Sequence, residues 1–211
     1  MKIYEVILIA ALALAAWYYY KGSEPFPFFL AFMVIVVMVE EVIKELYNDA
    51  YGTNLPAMNL YSKFCIYYYL FVFYELYKDR SWAKYLRFLA FGYVVLTLIW
   101  NFKFQDQMKV DYLSYNIGFI FLMILMLKYL YEVIYKRPYY NVFSDPHFYF
   151  VFGLLLFYTS AFPLLGFINI LITDNPQYDI YVKLLNLGNV FLSLAYLGAL
   201  LCSKRQIPST L

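Results

Sequence analysis

The residues best suited to do chemistry are charged and amide side chains near the ends of two long apolar runs. Glu40 and Glu41 end one run, and Lys44 lies one helical turn after Glu40, where it can pair with it. Asn186 and Asn189 share a helical face in the last run, because they are three residues apart. Such groups are costly at membrane depth and are therefore functional candidates. We hypothesise that these five residues line a small-ligand pocket that opens outward.

Two other interpretations of the same residues stay open. In the first, the asparagines form hydrogen bonds between helices, which contribute only about 0.6 kcal/mol each. In the second, the apolar run ends at Val39, so that the acids lie among the lipid headgroups.

The residue types needed for familiar membrane catalysis are missing from the sequence. One histidine, His147, is too few for a histidine-rich zinc site or for paired haem ligation. A prenyl-protease function for Glu40-Glu41 would need further histidines. A retinal Schiff base would need a lysine deep in the last run, where Lys183 occupies only the first turn. We therefore predict no catalytic residue, no metal site and no cofactor.

Composition points to the membrane as the place where these residues act. Of the 211 residues, 64% are hydrophobic and only 14% are charged, against about 45–50% and about 25% in soluble domains. A soluble chain of this size could not bury so much apolar surface. The net charge of +2 offers no footprint for DNA or RNA, so the composition excludes a nucleic-acid partner.

Seven apolar runs are long enough for transmembrane helices and are too continuous for barrel strands. They lie at Ile3–Tyr20, Phe26–Ile43, Leu60–Tyr77, Ala83–Phe102, Leu113–Tyr135, Phe148–Ile172 and Val182–Cys202. The sequence thus predicts an all-α, polytopic membrane protein, a seven-transmembrane-helix bundle that forms one transmembrane domain over residues 1–211. Asp145 before Pro146 predicts the start of the sixth helix. The longest loop is expected at Leu46–Asn59.

The basic residues predict an orientation for this bundle. With the amino terminus outside and the carboxyl terminus inside, all arginines fall on the inner face, as the positive-inside rule requires. Five of the inner cations are candidates for binding a protein partner: Arg80, Lys84, Arg87, Lys136 and Arg137.

Tyrosine and cysteine usage fits the same picture. Tyrosine clusters at residues 18–20, 67–69 and 139–140 predict belts at the lipid headgroups. Cys65 and Cys202 are predicted to lie on opposite faces of the membrane as small buried apolar residues, where they cannot form a disulfide with each other.

Three segments resemble small uncharacterised bacterial seven-helix membrane proteins of the sensor-kinase-associated type. The similar stretches are Asp145–Tyr158 (DPHFYFVFGLLLFY), Asn186–Val190 (NLGNV) and Cys202–Arg205 (CSKR). Together they comprise 23 of the 211 residues, about a tenth of the chain, and they are mostly apolar. The resemblance implies a signalling role and assigns no catalytic residue.

These observations predict a non-catalytic sensor or scaffold in a bacterial inner (cytoplasmic) membrane. The lipid bilayer and a membrane-associated protein are its expected partners, because the loops leave no room for an output domain. Alternatives are a small-solute or lipid transporter, the substrate-binding subunit of a transporter, or a purely structural subunit of a complex.

Overall fold

Seven α-helices make up most of the part of the chain that the structure describes. The computed structural model describes residues 3–20, 25–104, 109–136, 141–171 and 177–203. The helices are α1 (Ile3–Tyr20), α2 (Pro25–Tyr51), α3 (Leu55–Tyr77), α4 (Ala83–Lys103), α5 (Tyr112–Lys136), α6 (Pro146–Leu171) and α7 (Gln177–Ser203). A short 3-10 helix at Val142–Ser144 precedes α6. Each predicted apolar run lies almost wholly within one of these helices, which confirms the all-α prediction.

Three stretches of helix among the described residues are long and apolar enough to cross a membrane. They are Ala83–Lys103, Tyr112–Tyr135 and Lys183–Cys202. Two shorter apolar stretches lie at Val6–Trp17 and Pro146–Ala161. Seven crossings and the orientation of the two ends stay predictions.

The α2 helix continues eight residues past the predicted end of its apolar run. Glutamate, lysine and leucine are good helix formers, so the loss of apolar residues after Ile43 does not end the helix. It ends instead before Gly52, which has a φ of 68° and donates its backbone N–H to the Asn48 carbonyl at 2.9 Å. The predicted loop at Leu46–Asn59 therefore shrinks to residues 52–54.

The chain divides into two compact units. Unit 1 contains Met1–Val39, Met126–Ala161 and Pro176–Leu211, and unit 2 contains Glu40–Leu125 and Phe162–Asn175. The prediction of one transmembrane domain over residues 1–211 stays a prediction.

Unit 1 is built around the packing of α1 on α7. Tyr4, Leu8, Ala11 and Ala15 recur at helical spacing, and all four are buried. Unit 2 is built around the packing of α3 on α4, with Phe73 and Tyr93 among its fully buried large side chains.

The belt interpretation is wrong for the tyrosines at 67–69. They lie in the middle of α3 rather than at its end, and Tyr69 is buried. A tyrosine can occupy this depth when its hydroxyl has a hydrogen-bond partner inside the protein, as that of Tyr67 has in Thr97. The clusters at 18–20 and 139–140 have side chains outside the described residues.

Candidate functional site

The polar residues of unit 2 form two facing stripes on α3 and α4. On α3, Asn59, Lys63 and Tyr67 are spaced four residues apart and share one helical face. On α4, Thr97 and Asn101 share a face in the same way. The two stripes run antiparallel and pair in register, because the Tyr67 and Thr97 hydroxyls share a hydrogen bond and Lys63 Nζ donates to Asn101 Oδ1 at 2.8 Å.

The side-chain amide of Asn59 ties the start of α5 to α3. Its Nδ2 donates to the Lys109 carbonyl at 2.8 Å, and its Oδ1 accepts from the Asp111 backbone N–H at 2.9 Å. Asn59 is only 4% exposed, so these bonds satisfy backbone groups that water cannot easily reach. The amide thus fixes the backbone of residues 109–111 against the first turns of α3.

Lys63 is the central cation of this site. Its Nζ lies 2.7 Å from Asp111 Oδ2, and it also donates to Asn101 as described above. Lys63 is 9% exposed and Asp111 is 4% exposed. A buried charge is tolerated only when it is paired and hydrogen-bonded. The ammonium therefore joins α3, α4 and the residue before α5 through one side chain.

Asp111 also determines where α5 begins. Its Oδ1 accepts the backbone N–H of Ser114 at 3.2 Å, three residues later, as an N-cap aspartate does. The Tyr93 hydroxyl then donates to the Ser114 carbonyl at 2.7 Å, adding a second link between α4 and α5. Asp111 therefore caps α5 with one carboxylate oxygen and faces Lys63 with the other.

A small cavity lies beside this ion pair. Asn59, Ser62, Lys63, Asp111 and Tyr115 are among the residues that line it. Its interior is about 10 Å³, which is room for about one water molecule. The site therefore has room for a water molecule and is too small to enclose an organic solute.

The predicted residues on α2 form a local cluster of ion pairs in unit 2. Lys44 Nζ pairs with Glu40, which is buried, and lies 3.5 Å from Glu41 Oε1. The Lys44 ammonium also lies 5.8 Å from the centre of the Tyr61 ring of α3. The predicted pairing of Glu40 with Lys44 is therefore confirmed.

The predicted asparagines belong to unit 1. Asn186 is exposed and Asn189 is half-buried on α7, and the Asn189 carbonyl accepts a hydrogen bond from Ser193 Oγ at 2.7 Å. The pocket that would combine them with Glu40 and Glu41 stays a prediction.

The candidate partner-binding cations lie where α3 gives way to α4. Arg80, Lys84 and Arg87 are all exposed, and we call these three residues the basic turn. The Arg87 guanidinium lies 5.3 Å from the centre of the Tyr74 ring, which holds it at the surface by a cation–π contact. The Lys136 side chain and Arg137 lie outside the described residues.

A second buried acid lies in unit 1, at the start of α6. Asp145 Oδ2 accepts from the Tyr129 hydroxyl at 2.6 Å, and Oδ1 accepts from the His147 backbone N–H at 2.9 Å. This confirms the predicted helix start at Asp145-Pro146. Burial by itself raises the pKa of Asp145, but the hydrogen bonds from His147 and Tyr129 outweigh it, so the pKa lies below its ordinary value of 3.8.

This lowered pKa predicts how the stability of unit 1 depends on acid. A carboxyl whose folded pKa is depressed stabilises the fold above its unfolded pKa and loses that contribution as the pH falls through the folded value. We expect Asp145→Asn to have a lower melting temperature than the wild type at pH 7. The difference should correspond to a loss of about 1–3 kcal/mol in the free energy of unfolding. The difference should shrink below about pH 4. Thermal melts of the detergent-solubilised chain measure it, with the exposed Asp79→Asn as control. A difference independent of pH would contradict this assignment.

Sequence reasoning missed the roles of Asn59, Lys63 and Asp111. The signals were present, because Asn59, Lys63 and Tyr67 recur every four residues along a helix that is otherwise largely apolar. Asp111 also precedes Ser114 by the spacing of an N-cap. What the sequence did not show was that these residues meet.

Known proteins provide no template for this site. No protein-family model matches the chain, and neither the curated proteins nor the solved structures contain a match. Within the ranges that the structure describes, no group of three or more His, Cys, Asp or Glu side chains could hold a metal ion. Cys65 and Cys202 are both buried and carry no disulfide. A function must therefore be argued from the geometry alone.

Proposed function

We propose that this protein is a non-catalytic integral membrane protein, a sensor or scaffold subunit that signals through a separate partner protein. The apolar composition and the three helices of membrane-crossing length support its place in a bilayer. So does the surface of α4, where Phe88, Phe91 and Phe102 are 73%, 69% and 82% exposed. Such a surface is unfavourable in water and suits lipid or another apolar helix.

The observation that carries the partner proposal is the basic turn. Its three cations are exposed, and they lie at the start of the least buried of the three helical stretches of membrane-crossing length. Exposed arginine and lysine at the rim of an interface raise the rate of association with an acidic surface more than they raise the affinity. We propose that an acidic face of the partner docks here. Lys136 and Arg137 stay sequence predictions for the same role.

The proposed setting is a bacterial inner membrane, with the amino terminus outside and the carboxyl terminus inside. The arginine distribution supports this orientation. Reporter fusions at the two ends test it, and two ends in one compartment would contradict it.

Charge reversal at the basic turn tests the partner proposal directly. We expect the triple variant R80E/K84E/R87E to crosslink at least about tenfold less partner protein in native membranes than the wild-type chain does. High salt should weaken wild-type capture in the same direction. The matched control is Lys103→Glu, an exposed cation at the other end of α4. A wild-type chain that crosslinks to no specific protein, or equal losses in the triple variant and the control, would overturn the proposal.

Transport of a small solute or a lipid is the second candidate function. It would use the acids Glu40 and Glu41. The cavity beside Lys63 and Asp111 has room for about one water molecule, so it is too small for an organic solute. Solute flux through the purified protein in liposomes would decide for the transporter.

A further inference from the structure

The last two turns of α2 are exposed on every side. The helix runs to Tyr51, and each residue from 45 to 51 is exposed. Packing inside the chain therefore does not account for the side chains found here, and their pattern indicates what lies outside the chain. We call residues 42–51 the α2 arm.

One side of the α2 arm carries an apolar stripe. Ile43, Leu46 and Ala50 are three and four residues apart and share one helical face, and Val42 and Tyr47 flank them. Leu46 is 63% exposed, Val42 is 57% exposed and Ile43 is 42% exposed. Alternating steps of three and four residues are the spacing by which one helix packs along another. We call these five residues the α2 stripe, which has the pattern of one half of a helix–helix interface.

The other side of the α2 arm is polar and acidic. Glu45 and Asn48 lie opposite the α2 stripe, and Asp49 lies at its edge. Carboxylates are costly in hydrocarbon, so lipid tails do not suit this end of α2. Helices that lie on anionic headgroups present lysine and arginine on their polar face, whereas such headgroups repel acids. A protein surface therefore fits the α2 stripe better than either region of the bilayer does.

The α2 stripe is complementary to a second copy of itself. Around a two-fold axis that runs along the seam, each stripe residue meets its own counterpart. Ile43 and Leu46 fill the seam, and the small Ala50 lets the two helices approach closely. Glu45 points away from the seam and the two copies of Asp49 lie on opposite edges, so like charges do not face each other across the seam.

We propose that two copies of this chain pair in parallel through the α2 stripe. Only the parallel direction rests on the membrane setting proposed above, because two copies in one bilayer share the same depth and direction. The pairing uses α2 alone, and it is measured separately from the capture of a partner by the basic turn. Failure of one leaves the other standing.

The size of the α2 stripe determines the strength of the pair. Five side chains per copy are fewer than the about 20–30 residues that each side of a standard interface contributes. The pair is therefore reversible, and the dimer fraction falls as the chain is diluted in lipid. The Tyr47 ring already packs against Tyr51 of its own chain, with ring centres 5.0 Å apart, so it loses little conformational freedom on pairing.

Cysteine crosslinking of the full chain in lipid vesicles tests the seam. The natural cysteines are buried, so the oxidised wild-type chain is the baseline. We expect a disulfide-linked dimer from each single replacement in the seam: Ile43→Cys, Leu46→Cys and Ala50→Cys. The matched controls lie on the opposite side of the same turns, and they are Glu45→Cys and Asn48→Cys. The seam positions should give at least about fivefold more dimer, because a disulfide needs Cβ atoms within about 4.5 Å of each other.

A charge placed in the seam tests the same pair without oxidation. Leu46→Glu brings two like charges together at the two-fold axis, and we expect it to weaken the pair at least about tenfold. Energy transfer between fluorescently labelled copies, followed as the protein-to-lipid ratio falls, measures the change. Asn48→Glu adds the same charge on the opposite side of the helix and should leave the energy transfer unchanged.

Three results would refute the pairing. One is an equal yield of dimer at seam and control positions, which would assign the α2 stripe to lipid or to another protein. The second is crosslinking at Leu46 alone, which would indicate an antiparallel pair. The third is the same energy transfer in the wild-type chain, Leu46→Glu and Asn48→Glu.

Discussion

We expect the replacement of Lys63 by methionine to lower the free energy of unfolding by about 3–5 kcal/mol. The variant leaves the Asp111 carboxylate buried without its cation, and it removes the hydrogen bond from Lys63 to Asn101. An unpaired buried charge is costly because the interior cannot replace its hydration. Denaturant titration in detergent at pH 8 measures the loss.

Two comparisons separate this effect from lost packing. Lys103→Met removes an exposed lysine from α4 and should change stability by no more than about 0.5 kcal/mol. The double variant K63M/D111N removes both charges, keeps the side-chain oxygen that caps α5, and should recover much of the loss. If the losses of Lys63→Met and Asp111→Asn simply added in the double variant, the ion pair would not be the source of the stability.

The second large effect is expected at Gly153, where α6 approaches α7 closely in unit 1. A Cβ atom placed on Gly153 would lie 2.1 Å from the Ala195 Cβ and 3.7 Å from the Phe191 carbonyl oxygen. The two helices must therefore separate to admit one methyl group. We expect Gly153→Ala to lower the free energy of unfolding by about 1–3 kcal/mol, measured by the same denaturant titration.

Gly92 supplies a matched control on α4. A Cβ added there meets nothing within 4 Å, so Gly92→Ala should stabilise the helix by up to about 1 kcal/mol through propensity alone. The double variant G153A/A195G moves the methyl group from α7 to α6 and should restore part of the packing. Equal effects of alanine at the two glycines would contradict the close approach.

Features that depend on neighbours in sequence were predictable. The apolar runs located the seven helices that the structure describes. In apolar surroundings a backbone must satisfy its own hydrogen bonds, and a helix does so within the segment. The pair Glu40–Lys44 follows from four-residue spacing, and it forms. The apolar pattern misplaces the end of α2, because the loss of apolar residues does not end this helix, whereas Gly52 does.

The buried polar site was not predictable in the same way. Asn59, Lys63 and Asn101 each looked like an isolated polar residue near a helix end. Their partners lie 38 to 52 residues away along the chain. Nothing in a single sequence indicates that such distant positions are in contact. In the folded chain, the antiparallel register of α3 and α4 brings them within hydrogen-bond distance.

The sequence by itself determined that the chain is helical, apolar and poor in catalytic groups, since composition and local periodicity act residue by residue. Only the tertiary structure decided which polar residues meet, because that depends on how α3, α4 and α5 pack. It placed Lys63 on Asp111, so that one carboxylate oxygen caps α5 and the other faces the ammonium, and it left beside them a cavity of the size of one water molecule. The cost of burying unpaired charge selects that arrangement.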